Sequence, residues 1–188
     1  PSLILWGYRL DKKLVFTSRI YRFLGILAVF TLLGNILCVY LFECLLYPVL
    51  MPFVFTYIIS SVVESILLKK YAEVAVDKLT SMKNLKIICI TGSYGKTSIK
   101  NYIYQLLEND FRVYATKRSV NTFAGIVSDI NNDLPLSTQI YITEAGARAK
   151  GDINGIANLL KHQYAVIGKV GEQHIEYFKT LQNIIDTK

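Results

Sequence analysis

Between Arg22 and Lys69 the chain carries only two charged residues, Glu43 and Glu64. Phe23–Phe42, FLGILAVFTLLGNILCVYLF, has none, and neither has Cys44–Val63, CLLYPVLMPFVFTYIISSVV. At about 1.5 Å per residue, each stretch reaches roughly 30 Å as a helix, the depth of a bilayer's hydrocarbon core. Residues 23–68 are therefore predicted to form a transmembrane helical hairpin turning near Glu43. Pro48 and Pro52 suit the turn and shorten the second helix. The competing reading is a helical hairpin buried in a soluble protein.

Charge fixes the expected orientation. Arg9, Lys12, Lys13, Arg19 and Arg22 make residues 1–22 a basic leader, and Lys69, Lys70 and Lys78 follow the hairpin. Positive charge at both outer ends puts both in the cytoplasm, with the lipid bilayer as a partner. A hydrophobic fraction of 52% beside a net charge of +7 fits this reading better than it fits a soluble domain. The basic residues are scattered, so no nucleic-acid partner is expected. Cys38, Cys44 and Cys89 have no metal-binding spacing. Proline stands first and Lys188 falls within a helical pattern, which reads as a piece of a longer protein.

Residues 64–82 have helical spacing, with Ala72, Val76 and Leu79 on one face. Residues 69–84 are assigned to a linker helix, for which a solvated helix with no further role reads equally well. From Leu85 the pattern changes to alternating strand and helix. Apolar runs LKIICIT, RVYAT, QIYITEAG and YAVIGKVG are separated by amphipathic stretches KTSIKNYIYQLLEN, TFAGIVSDINNDL and GDINGIANLLKH, and FKTLQNIIDTK begins another helix. The expected fold is α/β, a parallel sheet with helices on both faces. Ligands of such sheets bind at the carboxyl ends of the strands, where TGSYGKT, EAGAR and GEQH fall.

ITGSYGKTS departs from the common phosphate loop G-x-x-x-x-G-K-[ST], whose first glycine would be residue 90, here isoleucine. Gly92 and Gly95 let backbone N–H groups approach phosphate oxygens, and the following helix N-terminus adds positive charge. Lys96 has the reach for β- and γ-phosphates, and the Thr97 hydroxyl suits Mg²⁺. Glu144, at the end of a strand near this loop, reads either as a Mg²⁺ ligand or as a surface carboxylate. His174 holds a similar position after VIGKVGEQ; alone it reads as a polar loop residue, and beside the other two loops as a ligand.

The series ITGSYGKTS, SVNTFAG, EAGARAKGDI and VGEQHIEYF resembles the central domain of the Mur ligases, over about residues 85–188. T-G-[ST]-x-G-K-[ST] is that family's form of the phosphate loop. N-x-x-x-G and E-x-G-x-x-x-x-G-[DE]-I resemble the branch that adds D-alanyl-D-alanine to the UDP-MurNAc-tripeptide. The resemblance implies an ATP- and Mg²⁺-dependent amide-bond ligase of peptidoglycan precursor synthesis, working through an acyl phosphate. It implies that Lys96 and the backbone from Gly92 through Ser93, Tyr94, Gly95 and Thr97 to Ser98 hold the ATP phosphates. Thr97 and Glu144 match the ligands of one Mg²⁺, and His174 a ligand of a second. Asn121 and Thr122 match positions facing the acceptor. Lys188, fourteen residues after His174, matches a lysine that several members carry carbamylated on the second metal.

Residues 85–188 would then be the first part of the ATP-binding central domain. The family's usual members are soluble and begin with a small substrate-binding domain, whereas an apolar leader stands here. The expected location is the bacterial cytoplasmic membrane, with the catalytic domain in the cytoplasm near other cell-wall enzymes. This piece alone is expected to bind nucleotide poorly and to catalyse nothing. Two rival readings are a membrane-bound poly-γ-glutamate synthase, whose loop tends to carry R-G-K-S where this chain has Y-G-K-T, and a P-loop membrane ATPase or regulator.

Overall fold

The computed structural model describes residues 16–41, 47–173 and 175–188, with the side chains of 37–50 outside the described set. The predicted Glu43 turn, His174 and the leader before residue 16 lie outside the described residues. The chain divides into two units, the first ending at Leu67 and the second beginning at Leu68.

The first unit is built on α1 (Ser18–Leu41) and the first part of α2 (Tyr47–Ser81). The two helices run antiparallel. Arg22 pairs with Glu64 at 2.6 Å, Phe30 stacks on Phe55 with ring centroids 6.0 Å apart, and a Cβ added at Gly34 would meet Pro52 at 3.8 Å. Partner numbers fall along α2 as they rise along α1. The seam facing α1 is small and polar: Pro52, Thr56 and Ser60, spaced four apart, are buried. Phe53, Val54, Tyr57 and Ile58 face outward, more than half exposed. Small residues in the seam let the two backbones approach. Thr31 Oγ1 and Asn35 Nδ2 donate back to the carbonyls of Leu27 and Thr31, both at 2.7 Å, which satisfies them without water.

The prolines do not interrupt α2. Pro48 lies in its first turn, where a missing N–H costs nothing. Pro52 forgoes only the bond to the carbonyl of Pro48, and its ring fills the seam. The predicted linker is likewise no separate helix, because α2 runs unbroken to Ser81.

The second unit is a parallel sheet of β1 (Lys86–Thr91), β2 (Val113–Ala115), β3 (Ile140–Ala145) and β4 (Tyr164–Ile167), in the order β2-β3-β1-β4. Its helices are α3 (Lys96–Leu107), α4 (Phe123–Asn132), α5 (Asp152–Leu160), α6 (Ile175–Phe178) and α7 (Leu181–Thr187). The two-residue period of the strands splits the core. Ile87 and Cys89 of β1 and Tyr141 and Ala145 of β3 join Ile126, Ile130, Ile156 and Leu160 of α4 and α5. Ile90, Ile140 and Ile142 meet Ile99, Ile103 and Leu107 of α3 on the other face. Helices therefore cover both faces, as the sequence predicts. The end of α2 is not solvated: Ala75 and Met82 are buried in the first cluster, and Lys78 Nζ donates to the carbonyl of Ile130 at 2.6 Å. Burial of Cys89 pushes its thiol up to about 11.

Two element ends differ from the sequence reading. β4 stops at Ile167, and Gly168 already belongs to the loop. The predicted helix from Phe178 is split: Lys179 adopts a left-handed φ of 66°, and Thr180 caps a new helix by accepting from the N–H of Asn183.

Candidate nucleotide and acceptor site

Ile90 accounts for the missing glycine. It is the fifth residue of β1 and wholly buried under α3, so β1 continues through Thr91 before the loop begins. Gly92 (φ 151°) and Gly95 (φ 76°) then turn the chain into α3. The N–H groups of Lys96, Thr97 and Ser98 have no acceptor within the helix and face its open end, a natural anion cradle.

The loop is fastened to the segment after β4. Gly92 passes so close to Gly168 that an added Cβ would lie 3.2 Å from its backbone. The N–H groups of Ser93 and Tyr94 donate to the carbonyl of Lys169 at 2.8 and 3.3 Å. The Ser93 hydroxyl donates to the Gly171 carbonyl and accepts from its N–H, at 2.9 and 3.0 Å. Buried Ser93 is therefore a brace between loops here, and Tyr94 is half exposed beside it.

Lys96 and Lys188 converge on one atom. Lys96 Nζ donates to the Gly92 carbonyl at 2.7 Å, and Lys188 Nζ donates to the same oxygen at 2.9 Å. Burial lowers the pKa of Lys96, opposed by the charge of Glu144. Burial and then the charge of Lys96 push Lys188 down to about 8. Both lysines, with Asn121, Thr122, Arg148 and Gln173, line a cavity of about 220 Å³ at the carboxyl ends of the strands. The Asn121 carbonyl accepts from the N–H of Gly146 at 2.8 Å, joining the loops after β2 and β3. Thr122 caps α4, its hydroxyl accepting from the N–H of Gly125. Asp152 accepts from the N–H groups of Arg148 and Ala149, both at 2.8 Å, and so shapes the loop after β3.

Glu144 lies behind this cavity on the α3 side of β3. Its carboxylate is 1% exposed and meets Lys100 Nζ at 2.9 Å. The contact is an ion pair out of line for a hydrogen bond, so Oε1 is buried without a hydrogen-bond partner. A carboxylate offers about four lone-pair sites, so one ammonium does not exhaust it. Thr97 lines a second hollow together with Lys100, Thr116 and Arg118. The structure thus gathers Lys96, Asn121, Thr122 and Lys188 at one cavity and sets Thr97 at a second hollow lined also by Lys100, the partner of Glu144. Lys100, Arg148, Asp152, Gln173 and the bracing role of Ser93 are not among the residues the sequence points to. For Lys100 a signal existed: it follows Lys96 by four residues, on the same face of α3.

The profile of the Mur ligase middle domain matches residues 90–188. The UDP-N-acetylmuramoyl-tripeptide–D-alanyl-D-alanine ligase of Rickettsia prowazekii is 35% identical over 103 residues, covering 55% of this chain and 23% of the relative. The enzyme of the same name from Bacillus subtilis is 30% identical over 122 residues, covering 60% and 26%. Among solved structures, the MurF ligase of Thermotoga maritima in complex with ADP aligns with a TM-score of 0.60 and 32% identity, covering 64% of this chain and 28% of that one. MurF from Acinetobacter baumannii aligns with a TM-score of 0.62 at 23% identity, over 64% and 26%, a likeness of fold. The chain spans about a quarter of the length of the curated relatives it matches.

Proposed function

The chain belongs to the Mur ligase family, and from that premise we propose that it is the nucleotide-binding part of an ATP-dependent ligase joining D-alanyl-D-alanine to a UDP-MurNAc-tripeptide at a membrane surface. The observation that carries the reading is the convergence of Lys96, Lys188, Asn121 and Thr122 on one cavity beside the open end of α3. The names of the relatives support this branch over a poly-γ-glutamate synthase or a transport ATPase.

Each residue has a physical task. In the nucleotide-bound state Lys96 exchanges the Gly92 carbonyl for β- and γ-phosphate oxygens, while the first N–H groups of α3 hold the remaining charge. Thr97 and Glu144 would hold Mg²⁺, and a buried carboxylate that is engaged by one ammonium only keeps lone pairs for that role. When bound, the cation offsets the negative charge on the transferring phosphoryl group. Burial lowers Lys188 to about 8, which favours the neutral amine; that form would add CO₂ and release a proton to give a carbamate able to hold a second cation. Asn121 and Thr122 face the acceptor.

The reaction needs no protein nucleophile. The tripeptide carboxylate takes the γ-phosphoryl group, releasing ADP, and the resulting acyl phosphate carries a good leaving group. The dipeptide amine then attacks the acyl carbon, phosphate departs and the amine loses a proton. The inverted seam of α1 and α2, apolar outside and small inside, supports a bilayer as the setting, with Arg19, Arg22 and Glu64 at its cytoplasmic edge.

Phosphate release by the full-length protein tests this reading. Release is expected with UDP-MurNAc-tripeptide plus D-alanyl-D-alanine; release with glutamate instead would overturn it.

A further inference from the structure

Lys100 takes no part in the reaction just described, yet it is among the most buried charges of the second unit. It leaves α3 one turn after Lys96 and runs inward, its side chain 3% exposed. Its ammonium meets Glu144 Oε1 at 2.9 Å, the carbonyl of Thr116 at 2.8 Å and that of Arg118 at 2.5 Å. The two carbonyls accept hydrogen bonds from the ammonium group, and Glu144 balances its charge as an ion pair. Burying a cation costs several kcal/mol unless such partners compensate it, so the site is built around this charge.

Two consequences follow. Mechanically, Lys100 ties the end of β3 to the segment leading from β2 to Asn121 and Thr122. Arg118 in that segment holds a left-handed φ of 53°, which side chains other than glycine seldom adopt, and its carbonyl is one of the two acceptors. Electrostatically, Glu144 and Lys100 form a neutral pair. A neutral pair attracts a free divalent cation weakly. Among the described residues, no three His, Cys, Asp or Glu side chains come together to make up the deficit.

We infer that Lys100 is a positioning residue that keeps Glu144 neutralised until a polyphosphate arrives, so that a divalent cation is held at Glu144 only jointly with the nucleotide. The inference rests on the nucleotide-binding reading above. Phosphate oxygens would supply the negative charge that the paired carboxylate lacks, and the carboxylate keeps lone pairs that one ammonium does not use. Lys100 also keeps the carboxylate aimed, so the cation finds its ligand already in place.

The test uses the full-length protein with Mn²⁺ as probe, read by electron paramagnetic resonance without nucleotide, and with ADP binding measured separately in the presence of Mn²⁺. An opposite charge this near lowers a carboxylate's affinity for a proton about tenfold or more, and a divalent cation meets the same repulsion from the ammonium. Lys100→Met is therefore expected to bind Mn²⁺ alone about tenfold tighter than the unaltered protein. Lys100→Arg, which keeps the charge, is expected to stay weak. Lys100→Met combined with Glu144→Gln is expected to return to weak binding. If Lys100→Met is unstable, Mn²⁺ alone is expected to raise its melting temperature more than that of the unaltered protein. The inference is overturned if Lys100→Met binds Mn²⁺ within twofold of the unaltered protein, or if the double variant keeps the gain. It is also overturned if Lys100→Met stays unfolded with Mn²⁺ while the double variant folds. Failure of the unaltered protein to bind ADP would instead remove the functional reading and this inference with it.

Discussion

Lys96 and Lys188 donate to one and the same oxygen, the carbonyl of Gly92, at 2.7 and 2.9 Å. Two ammonium groups on one acceptor repel, and each depends on burial and on the loop for its place. Removing one therefore changes the chemistry of the other. Lys96→Met is expected to abolish ligation and also to raise the pKa of Lys188 above about 8 by part of its shift, because a like charge is lost while burial, the larger cause, remains. ¹³C-methylation of the lysines followed by NMR titration measures this; an unmoved Lys188 would show that the two do not interact.

The same lysine gives a pH signature. Its folded pKa lies below its unfolded value, so between about 8 and 10.5 the unfolded chain binds more protons. Stability then rises with pH across that window, and below it the buried charge is a constant penalty. Lys188→Met is expected to be more stable than the unaltered protein at pH 7, with the gap closing above pH 8. Urea unfolding at pH 7 and pH 9.5 checks the sign.

A separable second unit begins at residue 68. Ala75 and Met82 are buried against Ile126 and Ile130, so a chain beginning at 83 opens that core. A version beginning at 68 is expected to unfold cooperatively, and one beginning at 83 to lose its sharp transition. Met82→Ala is expected to cost about 2–3 kcal/mol. Equal melting of the two truncations would refute this.

Outward and inward positions of α2 are expected to respond oppositely in membranes. Ile58→Arg puts a charge on the exposed face, at a cost of about 3 kcal/mol for insertion. It is expected to shift the protein from the alkali-resistant membrane fraction to the supernatant. Thr56→Ser, in the buried seam, is expected to leave fractionation unchanged. An Ile58→Arg protein that stays in the membrane would count against a spanning hairpin.

The alternation of strands and helices was legible because each apolar run is bounded by glycine, proline or a polar cap, and the loops carrying TGSYGKT and EAGAR do follow strands. Lys96, Asn121, Thr122 and Lys188 do share a cavity. What the sequence hid depends on partners distant along the chain. Lys100 reads as one more lysine on an amphipathic helix until Glu144, on another strand, is seen beside it. Thr180 caps a helix only because Lys179 turns left-handed. Pro48 and Pro52 suggested a break, but the helix start and the small seam absorb them. For the end of α2 the sequence left a linker and a solvated helix equally open, because the partners of Ala75, Met82 and Lys78 lie far along the chain; Lys78 is spent on the carbonyl of Ile130.

Ser93 and Gly92 are bound to Gly171, Lys169 and Gly168 rather than free at the head of α3. The phosphate loop is consequently not a portable cassette. Grafting a standard glycine-led loop here would need a matched replacement of residues 168–171, since either half alone meets a surface shaped for the other.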